Sequence, residues 1–399
     1  MTSSAPAMPF DRIPVAGKRV LVRADFNVPM HDGAITDATR IERTLPTIKA
    51  LVDAGAKVVL CSHLGRPKGK IDEALTLAPV AEWIERAMGQ PVKFSPVIDG
   101  AYAQSSVDSL FPGQIVLLEN LRFHAGEEAN DPAFIDVLAS LADVYVNDAF
   151  SAAHRAHAST EGIAHRLPSM AGLSMAAELA ALESALGAPA RPVLAVVGGA
   201  KVSTKLAVLK HLVNKVDVLL LGGAMANTFL VAQGHDVGKS LAEPDMADEA
   251  RAIQGAADSA GCELLLPVDM VAADRFGSDA IADIVPATAI PADRMALDVG
   301  PATVAAAEAA LAKAATVLWN GPMGAFETPP FDAATVAVAR AVAGATTSGA
   351  VISVAGGGDT VAALGHAGVT DQFTYVSTAG GAFLEWMEGR VLPGVAALG

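Results

Sequence analysis

Cysteine is nearly absent: only Cys61 and Cys262 occur in 399 residues. Two thiols so far apart make neither a disulfide framework nor a metal-ligand spacing, so a reducing compartment is the simplest reading and a cytoplasmic location is expected. The opening segment MTSSAPAMPFDRI lacks the basic stretch and apolar run of a secretory leader. No apolar run is long enough for a bilayer. The strongest, Val218 to Ala232, is short, contains Gly222, Gly223 and Asn227, and is expected in a core. Positive charge is in deficit, and a net charge of −15 argues against broad nucleic-acid binding, which draws its affinity from many Lys and Arg. Familiar signatures are missing too. There is no G-x-S-x-G elbow and no G-x-G-x-x-G at a strand end, and GHDVGKS at 234–240 has three residues between its glycines where a P-loop needs four.

What is present is apolar and small. Hydrophobic residues make up 52% and aromatics only 5%, a mix that suits buried strands and close helix packing rather than disorder. The length predicts two domains of about 200 residues each. Charge is uneven between them: residues 1–175 carry 16 Lys+Arg against 20 Asp+Glu and six of the nine His, while the remainder carries 12 against 23. A nearly neutral, His-rich first part suits a local basic site for a small anion, although ordinary surface variation produces such a bias as well.

Apolar, β-branched runs recur between helix-patterned segments. The first series is 19–24, 57–61, 114–118 and 143–147; the second is 193–197, 216–221, 263–267, 316–319, 350–354 and 373–377. Continuous apolar runs alternating with helices predict parallel strands buried on both faces, hence an α/β fold with two doubly wound parallel sheets. Between the series, 174–192 reads as one helix ended by Gly187, with Pro189 and Pro192 beyond it. The expected division is therefore a first domain over 1–175, a linking helix over 176–192 and a second domain over 193–384.

Ligands of open parallel sheets sit outside the carboxyl ends of the strands. In the first series those ends carry Asp25, Phe26 and Asn27; Ser62, His63, Leu64, Gly65 and Arg66; Glu119, Asn120 and Arg122; and Asp148 followed by His154, Arg155 and His157. With Arg40, the basic members would line one surface suited to a carboxylate and a phosphate, because guanidinium groups bind both bidentately. Each residue alone more often has a solvated or structural role, but four polar strand ends in succession weaken that reading. The second series ends in GGAKVSTK at 198–205, GGAMANTF at 222–229, WNGPMGAFE at 319–327 and GGGDT at 356–360. Glycines admit phosphates to backbone amides at helix N-termini, so Gly199, Gly222, Gly223, Gly357 and Gly358 are candidate nucleotide contacts. Lys201 and Lys205 would neutralise phosphates, and Asp359 would hold a hydrated Mg²⁺ bridging ADP or ATP phosphates. A Gly pair by itself serves helix–strand packing as readily.

RADFNVP, SHLGRP, ENLRF, NDAFSAAHRAHAS, GGAKVSTK, GGAMANTF, WNGPMGAFE and GGGDT, in this order over almost the whole chain, resemble the phosphoglycerate kinase family. The resemblance implies two Rossmann-like domains with a cleft between them, joined by a helix, the C-terminal tail 385–399 returning to the first. It implies 3-phosphoglycerate at Asp25, Phe26, Asn27, Arg40, His63, Leu64, Gly65, Arg66, Arg122 and Arg155. Mg-nucleotide would bind at Gly199, Lys201, Lys205, Gly222, Gly223, Asn320, Glu327 and Gly357 through Thr360, with Glu327 at the ribose. Arg40 and Lys201 match the positions holding the phosphoryl group in flight, and Gly380 and Gly381 lie in a phosphoryl-contact segment. STAGGAFLEW at 377–386 departs from the family pattern at Ala379 and Phe383, as does Ala296 near the adenine. The implied reaction is reversible in-line transfer from 1,3-bisphosphoglycerate to ADP after domain closure, in glycolysis and gluconeogenesis, by a monomer that needs no nucleic-acid or membrane partner. The alternatives are a dehydrogenase, disfavoured by the missing dinucleotide fingerprint, and a binding protein without activity.

Overall fold

A computed structural model describes residues 12–399. The first eleven residues, which hold most of the segment read for a leader, lie outside the described residues. The chain divides into two compact units, one running to Leu179 and including Val391–Gly399, the other Ala180–Arg390. The dividing point falls inside the helix expected at 174–192, which is α-helical over Leu173–Leu182 and continues as a π-turn over Glu183–Gly187.

In the first unit β1 (Arg19–Ala24) leads to a hairpin of β2 (Met30–His31) and β3 (Ala34–Ile35). Then come β4 (Lys57–Cys61), β5 (Val92–Ser95), β6 (Ile115–Leu118), β7 (Val144–Asp148) and β8 (Ser169–Ala171). Six of them form one parallel sheet in the order β5-β6-β4-β1-β7-β8, with Val20 opposite both Val58 and Val144. Both faces of the central strands are covered, so Val20, Val22, Val58, Leu60 and Val146 join Ile41, Ile48 and Leu51 of the helix Thr39–Asp53 in one core. Each fully buried Val or Leu there contributes about 1.5–3 kcal/mol. After β1 the chain builds toward β4, β6 and β5, then crosses back to β7. The carboxyl end of β1 therefore opens at the switch point of the sheet.

The second unit repeats the plan. Its strands are β9 (Val193–Val197), β10 (Val218–Leu221), β11 (Glu263–Leu265), β12 (Asp269–Ala273), β13 (Ala282–Pro286), β14 (Met295–Val299), β15 (Thr316–Asn320), β16 (Ile352–Gly356) and β17 (Tyr375–Ser377). The parallel sheet runs β11-β10-β9-β15-β16-β17, and its switch point lies between β9 and β15. A separate antiparallel sheet, β13-β12-β14, flanks it. That sheet, the hairpin, β5 and β8 lie outside the ten strands expected from sequence. They are short or half-exposed, β13 with only intermediate and exposed residues, so they lack the continuous apolar run that marks a doubly covered strand. No helix among the described residues is long and apolar enough to cross a membrane.

Candidate active site

The first candidate site lies at the carboxyl ends of β1, β4, β6 and β7. Arg40 stands in the first turn of the helix Thr39–Asp53, whose start is held by Asp37: its Oδ1 accepts from the amide and hydroxyl of Thr39 at 2.9 and 2.6 Å. The Arg40 guanidinium donates to Asp25 Oδ2 at 3.1 Å and to the carbonyl of Asn27 at 3.2 Å. Ser151 donates to the same Asp25 oxygen at 2.6 Å. Asn27 Oδ1 accepts from the Gly65 amide at 2.9 Å, joining the β1 and β4 loops. Asp25 and Asn27, read as acceptors for a substrate hydroxyl, thus hold protein partners here.

Three residues expected at the substrate also hold the loops together. Phe26 is a core side chain whose amide donates to Ser62 Oγ at 2.9 Å. Leu64 is buried too, with its amide and carbonyl both paired to the Asn120 side chain. Gly65 accepts from Arg122 at 2.8 Å in addition to its bond to Asn27, and its φ of +63° together with the Leu75 side chain 2.8 Å from where a Cβ would stand requires glycine. These residues shape the loop; backbone pairing leaves Leu64 and Gly65 no free amide. Arg66 is exposed and makes no hydrogen bond or ion pair with the described residues.

His63, Arg122, Arg155 and His157 do gather, and Arg23 joins them. Burial pushes the His63 ring well below its usual 6.5, reinforced by the positive fields of Arg23, Arg122, His157 and Arg155. His157 is driven down to about 4, again by burial first, then by Arg122, Arg23, Arg155 and His154. Burial also lowers Arg122, against which Glu128 lies 3.2 Å from its Nε. The arrangement is a neutral-imidazole, multi-guanidinium surface suited to an oxyanion. Arg23 and its supports, Ser159 and Glu127, escaped the sequence reading. The available signal was Arg23 itself, a charge inside the apolar run RVLVRA that has to find a buried partner.

The second unit holds a cavity of about 620 Å³. Gly199, Gly223, Glu327 and Asp359 line it with Ala296, Met270 and Leu297. Apart from Ala296, which the family resemblance put near the adenine, its apolar wall over β12 and β14 carried no signal separable from ordinary core. Strand-end loops approach at backbone distance: Gly223 N donates to Met323 O at 2.7 Å, and a Cβ on Gly198 would stand 1.8 Å from the Pro322 carbonyl oxygen. Gly222, expected at the nucleotide, also accommodates Met323, whose sulfur lies 2.6 Å from a built Cβ. Lys205 turns inward, its ammonium donating to Gly198 O, Asn320 O and Asn320 Oδ1 at 2.6, 2.9 and 2.6 Å, and burial draws it down to about 8. It therefore does not line the cavity, and Asn320 lies behind it. Thr360, also expected at the ligand, is buried and braces the loops by accepting from Gly321 N at 2.7 Å. Gly357 caps the helix Gly358–Ala367 at φ +99°, and Gly358 and Asp359 form its exposed first turn. Lys201 is exposed. Gly380, at φ +56°, precedes the helix Gly381–Met387, and Phe383 of that helix is fully buried with its ring filling the space beside Gly356.

Among the described residues no three His, Cys, Asp or Glu side chains converge as a metal site. Asp359, an exposed carboxylate at the cavity wall beside a helix N-terminus, fits a hard cation that takes its other ligands from phosphates and water.

Sequence and structure comparisons agree with this fold. The sequence model of the family described as Phosphoglycerate kinase matches residues 10–390. The phosphoglycerate kinase of Azorhizobium caulinodans is 60% identical over 388 residues, covering 97% of this chain and 98% of its own. That of Rhodospirillum centenum is 60% identical over 389 residues, covering 98% of each. Among solved structures, the phosphoglycerate kinase of Coxiella burnetii superposes with a TM-score of 0.92 at 43% identity, covering 98% of this chain and 99% of that one. That of Pyrococcus horikoshii gives 0.79 at 31%, covering 98% of both. With two parallel-sheet α/β units, a family model matched over residues 10–390 and relatives about 60% identical over nearly the full length, the chain belongs to the phosphoglycerate kinase family.

Proposed function

We propose that the chain transfers a phosphoryl group reversibly between 1,3-bisphosphoglycerate and ADP, with the three-carbon acid on the first unit and the nucleotide in the cavity of the second. The observation that carries this reading is the guanidinium cluster around His63, on a unit separate from the glycine-built cavity. A coupled assay of ATP formation from 1,3-bisphosphoglycerate and ADP tests it, and absence of turnover would overturn it.

In ATP synthesis a β-phosphate oxygen of ADP attacks the phosphorus of the acyl phosphate, and the bond to the carboxyl oxygen breaks. The leaving group is a carboxylate, fully ionised at neutral pH, so neither direction needs a general acid or base. The protein's task is alignment and charge neutralisation. Arg122 and Arg155 would hold the acid, Arg40 and Lys201 the equatorial oxygens of the moving group, and Glu327 the ribose. Asp359 would hold Mg²⁺ with the nucleotide phosphates, where the ion neutralises phosphate charge. In Asp359→Asn we expect Mg-nucleotide affinity to fall and phosphoglycerate affinity to persist by calorimetry; equal loss of both would contradict the assignment.

Sites on separate units need a closure that also keeps water from the acyl phosphate. A radius of gyration that contracts only when both ligands are bound is the expected signature. We read the protein as a cytoplasmic monomer, consistent with two buried free cysteines; sedimentation of the full chain checks the second part.

A further inference from the structure

Arg23 is the side chain this reading does not use. It lies on β1, is 1% exposed, and occupies all three of its nitrogens: Nε donates to Ser159 Oγ at 2.8 Å, one terminal nitrogen donates to the carbonyl of Ala24, and the other meets His63 Nδ1 at 2.9 Å. Ser159 passes the contact on. Its hydroxyl donates to Glu127 Oε1 at 2.6 Å and its amide to Oε2 at 3.0 Å, so a buried carboxylate balances the buried guanidinium through one serine.

The last contact of Arg23 has a single chemical solution. A guanidinium is always protonated and has no acceptor, so the bond to His63 exists only if Nδ1 carries a lone pair. The ring proton must then be on Nε2, which has no protein partner among the described residues. A second proton would have to go onto Nδ1, facing a cation. We infer that Arg23 is a positioning residue of the acid site: by donating to Nδ1 it locks His63 as the neutral Nε2–H tautomer and leaves one fixed donor for the anionic substrate. The role rests on the acid-site reading above.

The surroundings act in the same direction. Around His63 stand Arg23 from β1, Arg122 following β6, and Arg155 and His157 following β7, each of which disfavours a charged imidazole. No carboxylate among the described residues is bonded to the ring; Glu127 binds Ser159 and lies 3.9 Å from His157 Nδ1. A histidine beside a polyanion would ordinarily protonate as pH falls and change its grip. Here the donor count stays at one across the physiological range.

The test is ¹⁵N NMR of the full chain with labelled histidine, the His63 signal being assigned by its loss in His63→Gln. In the free wild-type protein, Nδ1 should be unprotonated and Nε2 protonated, with no titration between about pH 5.5 and 8. A ring protonated at Nδ1, or one titrating near 6.5, overturns the proposal without any variant. In Arg23→Met, His63 should titrate within that window and populate both tautomers. The KM for 3-phosphoglycerate should rise about tenfold at pH 8 with a smaller change in kcat, and should fall again toward low pH as the ring gains charge, after correction for the substrate phosphate's own ionisation. Arg23→Lys, which keeps a cationic donor, should restore the wild-type tautomer. An Arg23→Met protein with an unchanged His63 signal and pH profile contradicts the role. If the wild-type tautomer is as expected but 3-phosphoglycerate leaves the Nε2 signal unmoved, the acid-site reading fails and this role falls with it.

Discussion

The ammonium of Lys205 lies 2.6 Å from Oδ1 of Asn320, and the same nitrogen reaches the carbonyls of Asn320 and Gly198. One side chain thereby ties the end of β9 to the end of β15, the switch point of the second sheet. Lys205→Met leaves the Gly198 carbonyl and Asn320 Oδ1 unpaired, the Asn320 carbonyl keeping the Gly198 amide, and should cost about 3 kcal/mol in urea unfolding, besides weakening nucleotide binding. The pH dependence has a definite sign. A lysine at about 8 in the folded state, against an ordinary 10.5, binds fewer protons than in the unfolded chain between those values. Wild-type stability should therefore gain on Lys205→Met as pH rises from about 8 to 10.5. A variant as stable as wild type would show that the ammonium does not hold this tie in solution.

Gly198 should tolerate no side chain. Its built Cβ stands 1.8 Å from the Pro322 carbonyl oxygen, a backbone atom that cannot swing aside. Gly198→Ala is expected to cost about 3 kcal/mol or more and to raise the KM for nucleotide, because the loops that part are those lining the cavity. A melting temperature within a degree or so of wild type would show that the loops yield freely.

Arg40 is held toward the end of β1 by Asp25 and Asn27, yet remains partly exposed. Arg40→Ala should lower kcat by about two to three orders of magnitude while calorimetric ADP affinity, seated on the other unit, stays as it was. Parallel loss of ADP affinity would place the residue's role elsewhere.

Asp148 ends β7 with its carboxyl buried and Oδ1 accepting from the Met175 amide at 2.9 Å. Burial raises its carboxyl to about 7, from an ordinary 3.8. The folded state thus holds a proton that the unfolded chain releases, so the stabilisation is complete below about 3.8 and lost as pH rises through 7. Asp148→Asn, a neutral isostere, should become progressively more stable than wild type across that window, by about 2–4 kcal/mol at pH 8. Parallel stability curves for the two proteins would refute it.

The two parallel sheets were legible because a strand covered on both faces announces itself locally: VLAVV over 193–197 and TVLWN over 316–320 are apolar without alternation. Edge strands such as β5 and the half-exposed β13 have no such run. Their pairing is decided by partners elsewhere, as when Val285 finds Met270 across the antiparallel sheet.

The sequence by itself determined the architecture of each unit, the polar character of the strand ends and the family, because strand periodicity, glycine placement and motif order are properties of neighbouring residues. Tertiary structure alone decided which of those side chains are buried or paired and which stay open. Phe26 and Leu64 turned into core, Lys205 turned inward, and Arg23, a lone charge in an apolar run, came to rest between His63 and Ser159. The reason is physical: a buried charge is placed by whatever can neutralise and hydrogen-bond it, and for Arg23 that partner stands 136 positions along the chain.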